Sequence, residues 1–177
     1  MRIEIALGDI TVEQVDAVVN AANSTLLGGG GVDGAIHAAA GPSLLDECRA
    51  LRADAYPDGL PAGQAVATSA GRMAASYVIH TVGPQHWQYP DGGVAQLRSC
   101  HVQSLRIACS LGLATVAFPA ISCGVYGWAA VDAAPVAVGA VRQFDAESPG
   151  HGIEVVRFVL FNDQAHGAFS HAVSAAR

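Results

Sequence analysis

The sequence contains no lysine; all nine of its cationic side chains are arginine. Chemistry that needs a lysine nucleophile, a Schiff base or a P-loop lysine is therefore excluded. No apolar run approaches the roughly 18 residues that a membrane helix needs. The opening Met1-Arg2-Ile3-Glu4-Ile5 has neither the apolar stretch nor the cleavage site of a signal peptide. A cytoplasmic protein without a membrane partner is expected. Charged residues are few, at 14%, against 51% hydrophobic, which is too apolar for a disordered chain. The net charge of −6 argues against non-specific binding to nucleic acid. The four cysteines form no Cys-x-x-Cys pair, so reduced thiols are expected rather than a disulfide framework. The histidines are scattered, and no zinc site is read from them.

What is present suits one domain of ordinary size: 177 residues with enough apolar content for a sizeable core. Strand and helix patterns alternate along the chain. Ala17 to Asn20, Thr115 to Phe118 and Glu154 to Phe161 are apolar strands. Val32 to Ala40, Leu44 to Ala53, Ala95 to Leu111, Ala129 to Phe144 and Gln164 to Ala176 read as helices. Ser43 is a plausible N-cap, and Pro135 is expected to weaken or kink its helix. Strands apolar throughout are covered on both faces, which implies a largely parallel sheet between helical layers. In such sheets ligands bind beyond the carboxyl ends of the strands.

Two loops stand out. Gly28 to Gly31, continuing as Val32-Asp33-Gly34, leads straight into a helix. Four consecutive glycines cost backbone entropy, about 1 kcal/mol for each residue ordered. They also allow a ligand close to the backbone, where the unpaired N–H groups of a helix start attract phosphate. Ser122-Cys123-Gly124-Val125-Tyr126-Gly127 is a second strand-to-helix loop, either an ordinary turn or the other half of a phosphate cradle. Neither loop contains arginine, so a pyrophosphate between them would be held mainly by backbone donors. Neither is a Walker A motif or a dinucleotide fingerprint.

Polar residues cluster around these loops. Asn20 and Asn23 can offer donor and acceptor to sugar hydroxyls, or simply form turns. Asp33, at the mouth of the helix, either caps it or orients a water or hydroxyl beside a phosphate. His37 lies one turn later on the same face. The Asp9 carboxylate suits an exocyclic amine. Phe161 either stacks on a base or belongs to the core. Cys123 is a conceivable nucleophile, but nothing marks its base.

Five segments together resemble a known family. They are Gly8-Asp9-Ile10-Thr11, Val19 to Asn23, Gly28 to His37, Tyr77 to Pro84 and Phe118 to Gly127. They are similar to macrodomains of the MacroD type, and the likeness spans nearly the whole chain. The resemblance implies a three-layer α/β/α sandwich with a mixed, largely parallel sheet and a cleft for ADP-ribose. It implies that Asp9 and Ile10 meet the adenine and Phe161 stacks on it. It implies that Gly30, Gly31 and Val32, with Cys123, Gly124, Val125 and Tyr126 of the Ser122 loop, line the pyrophosphate. Asn23 would contact the distal ribose, and Asp33, supported by His37, would serve hydrolysis.

The activities so implied are removal of mono-ADP-ribose from acidic side chains of proteins and deacetylation of O-acetyl-ADP-ribose, by a monomer without metal or cofactor. A non-catalytic reader of ADP-ribosylation and a phosphatase acting on ADP-ribose-1''-phosphate are the alternatives. Two positions depart from the pattern: Cys123 stands where threonine is common, and Trp128 follows Gly127 where an aromatic such as tyrosine is usual. The branch that works through a lysine adduct cannot apply.

Overall fold

The computed structural model describes residues 1–175. Strands β1 (Arg2–Leu7), β2 (Ala17–Ala22), β3 (Ala65–Ser69), β4 (Tyr77–Val82), β5 (Thr115–Phe118) and β6 (Val155–Leu160) form one six-stranded sheet in the order β1-β6-β5-β2-β4-β3. Only the edge strand β3 is antiparallel, to β4; the other pairings are parallel. Helices α3 (Val94–Ser110), α4 (Ala130–Glu147) and α5 (Asp163–Ala175) pack together on one face. Helices α1 (Gly31–Ala40) and α2 (Pro42–Asp54) cover the other, over β2 and β3. This is the expected α/β/α arrangement with a mixed sheet.

The alternation of side chains along each strand explains the apolar runs. Val19, Ile79 and Phe158 point into the larger cluster under α3, α4 and α5. Their neighbours Val18, Val78 and Val159 point into a second cluster with Ile36, Ala40 and Leu44. Phe158 packs with Phe169 and Phe118 at ring separations of 5.0 and 5.8 Å. His101 stacks on Phe118 at 5.3 Å, and burial pushes it down to about 4, so it sits in the core as a neutral ring.

Two local expectations are corrected. Ser43 is not a cap: α2 is capped by Gly41, with Pro42 in its first turn. Proline there gives up an N–H that would be unpaired anyway, so the helix starts earlier. Pro135 does not break α4, which runs unbroken to Glu147; the proline sits in its second turn on the exposed side. The predicted C-terminal end of the last helix, Ala176, lies outside the described residues.

Asp16 ties the strand starts together. Its Oδ2 accepts from the N–H groups of Ala114 and Thr115 at 2.9 and 2.8 Å and from the Thr115 hydroxyl at 2.9 Å. Burial works to raise the Asp16 carboxyl, but these bonds outweigh it and hold it below its ordinary value. The stability it contributes is therefore complete above the unfolded value near 3.9 and is lost as pH falls through the lower native value. Asp16→Ala leaves the N–H groups of Ala114 and Thr115 without this acceptor. A cost of about 1–3 kcal/mol is expected, read as a lower urea midpoint at unchanged slope.

Candidate functional site

Strands β2 and β5 pair only through Ala17–Val116 and Val18–Ala117. Beyond that they part, because the chain leaves β2 toward β4 on one side and returns through β5 and β6 on the other. A crevice at such a switch point is where open α/β sheets bind ligands. Here it is a cavity of about 350 Å³. One wall is Asn23 and the Gly29–Asp33 stretch; the other is Ser122 with Gly124 to Tyr126. Both predicted loops thus face one space.

The glycine run places backbone N–H groups on that space. Helix α1 begins at Gly31 (φ +59°), its cap Gly30 contributes no side chain, and its first turn is therefore free to bind an outside acceptor. The Asn23 side chain holds the loop, donating from Nδ2 to the Gly28 carbonyl at 2.9 Å and accepting at Oδ1 from the Thr25 N–H at 3.1 Å. Gly29 lies between the two polar groups of the wall. A Cβ there would stand 3.1 Å from Asn23 Nδ2 and 3.2 Å from Asp33 Oδ2.

On the opposite wall Ser122 adopts the left-handed conformation (φ +65°), and its buried Oγ has no partner among the described residues. Ser122 lines the cavity, and a buried hydroxyl without a partner suits an incoming acceptor. Val125 is 89% exposed and stands open above the cleft. Among the described residues no cationic side chain lines the walls. An anion between these walls would meet N–H groups and hydroxyls rather than cationic side chains.

Asp33 is 4% exposed yet lines the cavity. Burial pushes its carboxyl above the ordinary range, opposed by a hydrogen bond from Asn20 and by the nearby His37. Asn20 Nδ2 donates to Asp33 Oδ1 at 2.7 Å, and His37 Nε2 lies 3.4 Å from the same oxygen. Beneath them His80, directly opposite Asn20 in the sheet register, places Nδ1 3.1 Å from Asn20 Nδ2.

His80 is where sequence reasoning missed a member of the site. The signal was available: a histidine inside an apolar strand covered on both faces needs buried partners. Burial pushes it down to about 3. Rather than scattered, His37, Cys48 and His80 have ligand-type atoms all within 4.8 Å of one another. In this arrangement both His80 nitrogens are engaged, and burial pushes the Cys48 thiol up to about 11. A metal would have to displace a hydrogen bond and a proton.

The remaining predicted residues fall in two groups. Asn20 and Cys123 do not form the cavity wall. Asn20 is fully buried behind Asp33, and the half-buried Cys123 thiol points to the Ile121 carbonyl at 3.6 Å. Burial pushes that thiol up to about 11, the wrong direction for a nucleophile. Asp9, Ile10 and Phe161 stand at the carboxyl ends of β1 and β6, joined by Gly8 N–H to Leu160 O at 2.9 Å. Asp9 Oδ1 accepts from the Thr11 N–H at 2.9 Å, and the Ile10 side chain is in the core. Phe161 is 90% exposed, so the core reading fails: β6 ends at Leu160, and the ring projects past the covered part of the sheet.

Comparison with known proteins agrees with this geometry. A family model described as the Macro domain matches residues 19–137. A macro domain-containing protein of Streptomyces nogalater is 54% identical over 168 residues, covering 95% of this chain and 90% of that one. A macrodomain of Oceanobacillus iheyensis solved with ADP superposes with a TM-score of 0.93 at 39% identity, covering 98% of this chain and 90% of that one. A Trypanosoma brucei macrodomain in complex with ADP-ribose gives a TM-score of 0.87 at 37% identity, over 97% and 68% of the two chains. The fold, the split sheet with its two loops and these likenesses lead to one assignment: the chain belongs to the macrodomain family.

Proposed function

We propose that this chain binds ADP-ribose in the crevice between β2 and β5 and hydrolyses esters on its distal ribose. The substrates are proteins carrying mono-ADP-ribose on acidic side chains, and O-acetyl-ADP-ribose, as in the MacroD-type branch. The carrying observation is a single wall that holds both parts of such a site. The free N–H groups of α1 and the buried carboxyl of Asp33 share it. The solved complexes of similar proteins with ADP and ADP-ribose support the ligand class.

In this reading the pyrophosphate lies against the N–H groups of Gly30 to Val32 and of the loop from Ser122 to Tyr126. The distal ribose meets Asn23 and Asp33, and the adenine extends toward Asp9, Ile10 and Phe161. A water beside the bound phosphate attacks the ester. Burial makes Asp33 more basic than an exposed carboxylate, which suits it to orient that water and take its proton, with the ligand phosphate as assisting base. Tyr126 and the glycine loop press the ribose into an attacking geometry.

The test loads a protein modified on Asp and Glu and follows release of free ADP-ribose, with acetate release from O-acetyl-ADP-ribose measured in parallel. Turnover of either substrate supports the reading. Tight ADP-ribose binding without any product makes the chain a reader. Release of inorganic phosphate from ADP-ribose-1''-phosphate alone makes it a phosphatase. Phe161→Ala is expected to weaken ADP-ribose binding about tenfold by calorimetry. It should leave the melting temperature unchanged, because the ring is 90% exposed.

A further inference from the structure

We propose that His80 is a positioning residue for Asp33: its bare Nδ1 forces the Asn20 amide to turn its N–H groups, not its carbonyl, toward the carboxylate. The inference rests on the hydrolytic reading of Asp33 given above.

The argument follows the protons. The Thr68 hydroxyl donates to the Ser69 carbonyl at 3.0 Å, which uses its only hydrogen. At 2.9 Å from His80 Nε2 the same oxygen then accepts, which puts the proton of the neutral ring on Nε2, with the Cys48 sulfur at 3.7 Å as a second acceptor. His80 Nδ1 is left as an acceptor, 3.1 Å from Asn20 Nδ2. The two hydrogens of that NH₂ group are thereby assigned, one to His80 and one to Asp33 Oδ1 at 2.7 Å. As it stands the Asn20 carbonyl oxygen has no partner among the described residues; turned over, it would face two acceptors in a dry interior, which costs more than being unpaired. Exposure is 4% at Thr68, zero at His80 and Asn20, and 4% at Asp33, so water cannot relieve the mismatch. Thr68 on β3, His80 on β4, Asn20 on β2 and Asp33 on α1 form a line running from the edge of the sheet to the cavity wall.

The titratable groups around Asp33 are His37 on its own helix, Cys48 on α2 and His80 on β4. Glu47, next along α2, faces Cys48 and accepts from the Ser69 N–H at 2.9 Å. Burial keeps His80 and Cys48 neutral through the working pH range, so their own titration does not contaminate the readout. The Asn20 hydrogen bond favours the ionised carboxylate. Freeing the amide raises the Asp33 value further and moves the acidic limb of the rate profile to higher pH.

The experiment follows Asp33 in the full-length chain by carboxyl-carbon NMR against pH, together with kcat and KM. His80→Leu is expected to raise the Asp33 titration by about one unit, to shift the acidic limb of kcat with it and to change KM little. His80→Asn, whose side-chain oxygen replaces Nδ1 as acceptor, should return both toward wild type. The proposal is overturned if His80→Leu titrates like wild type, or if His80→Asn is displaced as far as His80→Leu. Should His80→Leu not fold, Thr68→Val carries the test. It frees the ring tautomer and should shift Asp33 in the same direction, and no shift overturns the proposal. If the wild type turns over nothing, the hydrolytic reading fails, but the NMR titration still decides the role of His80.

Discussion

Asp33→Asn is expected to lower ester hydrolysis by about 10²- to 10⁴-fold, the usual range for loss of a general base, with ADP-ribose affinity nearly unchanged. Asparagine keeps the acceptor for the Asn20 N–H and nearly the same volume, so the glycine loop behind it stays in place. What it removes is the basicity that burial confers on the carboxyl. A second measurement separates this outcome from general damage. An acid whose native value is raised binds its proton more tightly folded than unfolded. It therefore takes stability away as pH rises from the unfolded value near 3.9 through the native one. Asp33 has its value raised by burial, so at neutral pH the ionised group destabilises the fold. Asp33→Asn should then melt higher than wild type at pH 7, with the gap closing toward pH 4, while activity is lost. Equal activity in the two proteins would remove Asp33 from the mechanism.

Gly34→Ala is expected to weaken ADP-ribose binding about 100-fold. Helix propensity alone predicts the opposite kind of change, since alanine is favoured over glycine in a helix by about 1 kcal/mol. The packing reverses it. A Cβ on Gly34 would stand 2.5 Å from the Gly29 carbonyl oxygen, a backbone atom that no side-chain rotation can move. Either α1 or the glycine loop must shift, at about 1–3 kcal/mol, and both carry the N–H groups of the binding wall. Gly167→Ala in α5 is the matched control. Its Cβ would meet nothing within 4 Å, so it should stabilise the chain by up to about 1 kcal/mol and leave binding alone. Calorimetry on both variants, with urea melts, checks the pair; equal affinities would show that the loop does not seat the ligand.

Much of the fold was legible because it depends on local pattern. The apolar runs at Ala17 to Asn20 and Glu154 to Phe161 announced strands covered on both faces, and the sheet carries them so. The errors lie where short-range chemistry was outvoted. Ser43 had the right side chain for a cap, but Pro42 could open α2 two residues earlier at no hydrogen-bond cost. Pro135 sits in the second turn of α4, so near the helix start that little of the ladder precedes it. Phe161 was ambiguous because burial depends on where the strand ends relative to the helices, which no single window of sequence contains.

The site divides along the same line. Sequence by itself determined that a pyrophosphate between the two loops would be held mainly by backbone donors, since the chain has no lysine and neither loop has arginine. It also determined that a carboxyl stands at the start of α1, because four glycines, an aspartate and a helix are consecutive in the chain. Only the tertiary structure decided that the two loops share one crevice, since that follows from where β5 is inserted beside β2. It alone decided that Asp33 is buried and raised, and that His80, 47 positions further on, lies behind it. Proton affinity and hydrogen-bond direction depend on neighbours across the sheet, and strand order, not strand content, chooses those neighbours.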